Sequence, residues 1–258
     1  MKKIILTLSL AVLILFSFTG CNGSLFLKDS EILNIENPKG VIYLKVYNEE
    51  NDKDFISERA FSFELFYKSA PNTVTNFINL VNSGYYNEKT FELSDPFVEF
   101  GVREFVEEVD EDDDTSVSYD RKIVDKDYYI AGEFPNNKWD YNKIDKNVKI
   151  ESGIGSMMMI RDINSANPSS KYNTAYAAFR VQTAVSNVKY EEDYCVFGKL
   201  TGLSSAEIEQ QLVDNFFEIG ISDAYDGVTY QYKFMISRIT IETPSVTEFP
   251  KPKTIKIK

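Results

Sequence analysis

Apolar residues at every second position most limit what this chain can fold into. From Val41 to Tyr47, Ile42, Leu44 and Val46 share one face. Phe61-Ser62-Phe63-Glu64-Leu65 alternates in the same way, and Tyr232, Phe234 and Ile236 do so in the segment 232–241. A period of two marks a strand with one buried face. The polar stretch from Asn48 to Asp54 between the first two strands makes them a hairpin. Only two segments carry the helical period. Pro71 opens the first, where its missing N–H costs nothing, and Val74, Phe77, Ile78 and Val81 follow at i, i+3, i+4 and i+7. Gly84 suits the position just past its end. In the second, Ser204 and Glu207 form a capping box, Ile208, Leu212, Val213, Phe216 and Phe217 form the stripe, and Gly220 can end it. There is no βαβ alternation and no internal repeat. The pattern predicts an all-β-dominated fold, an antiparallel barrel with helices at its ends. Its core draws on 19 Phe and 16 Tyr.

The start of the chain reads as an address. Lys2 and Lys3 precede an apolar run from Ile4 to Phe18, which is shorter than the roughly 20 residues of a bilayer span. Thr19-Gly20-Cys21 follows. The segment resembles the signal peptide and lipobox of bacterial lipoproteins, with Phe18 where Leu is usual, and implies a lipid on Cys21. An uncleaved membrane anchor is the alternative. Both readings place the rest of the chain outside the cytoplasm, at a membrane. Residues 22–40 read as a tether closed by the turn Pro38-Lys39-Gly40. Residues 243–258, with Pro244, Pro250, Pro252 and four lysines among the last eight residues, read as a disordered basic arm open to attraction by a membrane surface.

Charge and chemistry exclude more than they include. The chain has 40 acidic and 28 basic residues, a net charge of −12, which repels nucleic acid. It contains no histidine. Ser-His and Cys-His catalysis and His-ligated metals are therefore ruled out, and no cofactor or metal is expected. With Cys21 lipidated, Cys195 has no partner within the chain and reads as a core thiol in Tyr194-Cys195-Val196-Phe197; a reactive or intermolecular thiol is the alternative. Residues 107–114, inside an insert spanning 103–120, hold seven carboxylates in eight positions and read as an extended, solvated loop. A calcium site there lacks the EF-hand spacing and its glycine.

Six phrases in order resemble the cyclophilins. They are Arg59 to Pro71, Asn72 to Leu80 with Asn76-Phe77, Gly84-Tyr85-Tyr86 with Phe91, Tyr129 to Phe134, Gly153-Ile154-Gly155-Ser156-Met157, and Val196-Phe197-Gly198-Lys199-Leu200. The resemblance spans residues 41–242 and implies a cyclophilin-like eight-stranded antiparallel β-barrel capped by two α-helices. It also implies cis/trans isomerisation of X-Pro bonds. That barrier is about 18–20 kcal/mol, and an arginine that donates to the pyramidal nitrogen of the twisted amide lowers it.

The resemblance locates a groove but not its catalyst. The family's Phe-His-Arg is Phe91-Glu92-Leu93, so Leu93 stands at the arginine position. Phe97 matches the pocket phenylalanine, Val98 an apolar pocket residue, and Phe100 the glutamine position. Met158 follows the Gly-x-x-Ser-Met phrase where the family has a small residue; ordinary strand packing is the plainer account of Met157-Met158-Met159. The family's Gln-Phe-Phe strand corresponds to Ala178-Phe179-Arg180 or its neighbour by one residue. Because a one-residue slip reverses the faces, either Phe179 completes the proline pocket or Arg180 points into it as a replacement guanidinium, and an exposed or salt-bridged Arg180 is the plainer reading. The family's tryptophan and histidine fall within 188–194, which has neither. Three functions follow as expectations. One is a weakened isomerase acting on proline-containing segments of exported proteins. Another is a non-catalytic peptide-binding module. The third is a surface scaffold.

Overall fold

The computed structural model describes residues 24–48, 55–109, 117–123, 127–146, 148–162, 171–214, 232–242 and 249–257, with only the backbone at 47–48, 55–56, 104–109, 117–123 and 232–233. The strands are β1 (Lys39–Asn48), β2 (Phe55–Leu65), β3 (Lys89–Ser94), β4 (Phe97–Val109), β5 (Val117–Ile123), β6 (Tyr128–Tyr129), β7 (Ser156–Met159), β8 (Phe179–Gln182), β9 (Val196–Leu200), β10 (Tyr232–Glu242) and β11 (Ile255–Lys256). Eight of them close an antiparallel barrel in the order β3-β10-β1-β2-β9-β7-β8-β4, with β4 returning to β3. The all-β-dominated barrel expected from the alternation is therefore observed.

Strand parity fills the barrel as the sequence predicts. Ile42, Leu44 and Val46 of β1 are fully buried, as are Phe61, Phe63 and Leu65 of β2. Between β1 and β10 the register shifts after Tyr43, which pairs with Arg238 while Leu44 pairs with Ile236. The extra residue on β10 lets both Ile236 and Ile239 face inward. Phe77 stands at the centre, edge-on to Phe179 at 5.4 Å and 5.2 Å from Phe197, and Phe179 stacks on Phe100 at 4.9 Å. Gly198 is required by close approach: a Cβ there would lie 2.8 Å from the carbonyl oxygen of Glu64 on the neighbouring strand.

Two helices cap the barrel. Helix α1 (Pro71–Asn82) has Pro71 at its first position and Gly84 at φ 73° just past its C-cap, Ser83. Its N-cap is Ala70, which has no side chain to cap with. The Glu133 carboxylate supplies that role from afar, accepting the N–H of Asn72 at 3.0 Å and of Thr73 at 2.8 Å. Helix α2 (Ser205–Glu209) begins with the expected Ser204–Glu207 capping box and runs on into a π-helical turn, Gln210–Asp214. Ile208 and Leu212 are buried and Val213 is partly buried, whereas Phe216, Phe217 and Gly220 lie outside the described residues.

Three segments differ from the sequence expectation. Residues 24–37, read as a tether, lie on the barrel: Leu27 is buried, Phe26 packs on Trp139 at 4.9 Å, and the Leu33 N–H donates to the Tyr67 hydroxyl at 3.2 Å. Residues 249–257, read as a disordered arm, are also docked. Phe249 meets Tyr67 edge-on at 5.6 Å, and β11 pairs with β6. The Asn72 side chain grips Lys253 through its N–H at 2.6 Å and its carbonyl at 3.2 Å, and the Lys253 ammonium donates to Glu31 at 2.6 Å. Apolar residues spaced among polar ones are enough to anchor both ends, because the barrel provides their partners. Finally, Glu107, Glu108 and Val109 are not loop. They pair with Tyr119, Ser118 and Val117 in a β4–β5 hairpin that extends from the barrel edge, and 110–116 lie outside the described residues.

Candidate functional site

The β4–β8–β7 face decides which residues can meet a ligand. Across it, Phe97 pairs with Gln182, Val98 with Val181, Glu99 with Arg180 and Phe100 with Phe179, while Met158 pairs with Arg180. Side chains alternate between the two sides of a strand. Val98, Phe100, Phe179 and Val181 consequently turn into the barrel and are buried in its main core. Phe97, Met158 and Val196 form a separate cluster outside it, flanked by Phe66, Ile150, Tyr190 and Tyr194.

The groove expected from the sequence is corrected accordingly. Phe97 and Met158 share the outer face with Arg180. Val98, Phe100 and Phe179 cannot line a groove, because the two-residue period that turns Phe97 outward turns them inward. Leu93 pairs with Val98 near the end of β3 and is 42% exposed, a large apolar side chain standing in water. Of the two registers open at β8, the structure has Phe179 inside and Arg180 outside. Cys195 is a buried core thiol that donates to the Thr73 hydroxyl at 3.3 Å.

Rings surround the Arg180 guanidinium. Its Cζ lies 3.8 Å from the centroid of Phe97, 4.0 Å from Tyr194 and 5.4 Å from Tyr190. Burial holds this guanidinium below its ordinary pKa, with Tyr194 and Glu99 acting the other way. Glu99, opposite on β4, is pushed above the usual carboxylate range by its own burial, a rise that Arg180 partly offsets. Tyr194 also meets another guanidinium, that of Arg161, at 4.7 Å from its centroid. Phe97, Arg180, Tyr194 and Arg161 thus form a run in which rings and cations alternate.

A hydrogen-bonded frame fixes the segment that bears Tyr190 and Tyr194. The Tyr141 hydroxyl donates to the Tyr194 carbonyl at 3.0 Å and accepts the Val196 N–H at 3.2 Å. Arg161 Nε donates to the Asp193 carbonyl at 2.9 Å. The Ser152 hydroxyl donates to Glu191 and accepts the Tyr190 N–H at 3.1 Å. At the other edge, the Pro96 carbonyl accepts both the N–H and the hydroxyl of Thr183, at 2.9 and 3.1 Å, tying the β3–β4 turn to the end of β8. Tyr190, Tyr194, Glu99 and Arg161 were not identified from the sequence. The stretch 188–194, which stands where the resembled family has its tryptophan and histidine, is the signal that could have found the two tyrosines.

Chemically, the face offers an aromatic seat, the Arg180 guanidinium on it, the Arg161 guanidinium beside Tyr194, and the Glu99 carboxylate across the ladder. Two cavities on the described surface lie elsewhere, one lined by Asn37, Glu64 and Lys68, the other by Phe26, Trp139 and Lys143, and neither is lined by Phe97, Arg180 or Tyr194.

Comparisons with known proteins follow the same outline. Residues 54–216 match the family model described as cyclophilin type peptidyl-prolyl cis-trans isomerase/CLD. Comparison with curated proteins returns no match. Among solved structures, the chain is similar to the Mimivirus cyclophilin at 18% identity and a TM-score of 0.47, covering 85% of this chain and 97% of that one. It is also similar to a cyclophilin type peptidyl-prolyl cis-trans isomerase of Cryptosporidium parvum, at 15% identity and a TM-score of 0.39, covering 79% and 99%. A structure of that protein in the presence of the dipeptide Ala-Pro matches at 17% identity and a TM-score of 0.40, covering 80% and 99%.

Proposed function

Because this chain belongs to the cyclophilin-type peptidyl-prolyl cis-trans isomerase family, we propose that it engages proline-containing segments of other polypeptides on the outer face around Phe97, with isomerase turnover strongly reduced. The observation that carries this reading is the identity of the groups on that face. Phe97 and its neighbouring rings keep an apolar seat, while the position matching the family's arginine is Leu93. Catalysis requires a group that binds the twisted amide more strongly than either planar form. A charge-assisted hydrogen bond is worth about 1.5–3 kcal/mol, so losing one made chiefly in the transition state costs roughly 10- to 150-fold in rate. Binding without turnover is the companion reading. It is favoured by the Arg180 guanidinium, which lies on the Phe97 ring rather than free at the groove edge.

A proline tetrapeptide assay tests the proposal. The chain at micromolar concentration is expected to accelerate isomerisation weakly or not at all. Leu93→Arg is expected to raise the rate about tenfold or more by returning a donor. Equal rates for the two proteins, together with no binding of the peptide to either, would refute the reading.

The proposal includes an address. We infer that residues 1–21 are a lipoprotein signal and that a lipid on Cys21 holds the barrel at a membrane outside the cytoplasm, where exported polypeptides are the available partners. The Lys2-Lys3 start, the apolar run from Ile4 to Phe18 and Thr19-Gly20-Cys21 support this. Metabolic labelling with palmitate is expected to mark the wild-type chain and not Cys21→Ser. Label retained on the variant would overturn the assignment.

A further inference from the structure

Arg180 occupies the seat that a ligand ring needs. Phe97 and Tyr194 lie 3.8 and 4.0 Å from its Cζ, so the guanidinium is stacked against two rings. Two of its nitrogens, Nε and Nη2, are buried and meet no hydrogen-bond acceptor among the described residues. A cation placed this way has lost water without gaining an equivalent partner. Glu99, directly across the ladder, is itself disfavoured as an anion by burial and compensates weakly. The backbone of β8 is fixed by its ladders to β4 and β7, but the arginine side chain turns on several single bonds and can leave without moving the sheet.

We propose that Arg180 is a displaceable plug, and that it makes the groove selective for segments with an aspartate or glutamate beside the proline. A proline ring reaches Phe97 only when the guanidinium swings off it. Once out, Nε and Nη2 present the two parallel in-plane N–H bonds that match a carboxylate, whereas a backbone carbonyl supplies a single oxygen. An acidic neighbour therefore rewards the displacement, and a neutral one does not. The inference rests on the reading that the outer face takes proline-containing segments.

Binding of two peptides to the full chain tests it, one with Glu before the proline and one with Gln, each measured by calorimetry at physiological salt. The wild type is expected to bind the Glu peptide at least tenfold tighter than the Gln peptide. Arg180→Ala, with the seat open, is expected to bind the Gln peptide at least fivefold tighter than the wild type does and to lose the preference for Glu. Arg180→Lys keeps the charge but lacks the fork, and is expected to retain at most a threefold preference. Should Arg180→Ala lose its near-ultraviolet circular dichroism, Arg180→Lys decides the matter alone, because a preference as large as the wild type's would overturn the proposal. Wild-type binding of both peptides without preference would also overturn it while leaving the groove intact. Failure of every folded version to bind either peptide would remove the groove reading itself.

Discussion

Glu133 shows how much one buried side chain can carry. It is fully buried, caps α1 through two backbone N–H groups, and burial pushes its carboxyl up to about 7 from an ordinary 4.5. The folded state therefore binds this proton more tightly than the unfolded state. Stability from this group is complete below pH 4.5 and is lost as pH rises through about 7. The loss is about 3 kcal/mol across that window. Urea unfolding at pH 4.5, 6 and 8 is expected to show the fall in the wild type and its removal in Glu133→Gln; an identical slope in both would refute the assignment. Cys195 sits beside the same helix end. Burial first, and the Glu133 charge second, push its thiol far above the ordinary range. In a Cys21→Ser chain, a thiol reagent is expected to leave Cys195 unlabelled in native buffer and to react fully in denaturant. Rapid labelling of the native protein would contradict the buried placement. The buried thiol was legible in the apolar run Tyr194-Cys195-Val196-Phe197, whereas the Glu133 cap was not. Residues 72 and 133 share no local pattern, and a carboxylate capping a helix from a distant loop leaves no signature that spacing can reveal.

At the scale of elements, ladders and docked ends set the stability. Gly198→Ala places a methyl group 2.8 Å from the Glu64 carbonyl and forces β9 away from β2. A cost of about 1–3 kcal/mol is expected, read as a lower urea midpoint with an unchanged slope; an unshifted midpoint would deny the close approach. Removing residues 249–258 strips Phe249 from Tyr67 and frees both hydrogen-bonding groups of Asn72. A loss of about 2–3 kcal/mol is expected for the ring contact and the two bonds, measured by thermal unfolding of the truncated chain. An unchanged midpoint would show that the tail contributes nothing. The contrast explains which elements the sequence reveals. Helix α1, the Ser204–Glu207 cap and β1 are local patterns and were legible. The docking of 24–37 and 249–257 depends on Tyr67, Asn72 and Trp139, which lie far away along the chain, and both segments look polar when read alone.

At the scale of the molecule, alternation foretold the barrel but not its working face. A period of two says that one side of each strand is buried without saying which side meets a ligand. Phe100 and Phe179 resemble groove positions by phrase and yet face the core, while Arg180 faces outward, one of two registers the sequence left open. Closure of the ring makes a further prediction. A chain ending at residue 231 lacks β10, leaving the facing edges of β1 and β3 unpaired. It is expected to lose cooperative unfolding, and a sharp urea transition in that fragment would refute the closure. The position of β10 also sets a schedule. A chain is made from its N-terminus, and β1 acquires its β10 neighbour only after residues 232–242 have emerged. Until then the incomplete sheet has open edges, and pairing between the two ends of the sequence is among the slower steps a small domain takes. Completion of the ring is thus deferred until residues 232–242 have been made, and the strand that closes the barrel is one of the last parts of it to exist.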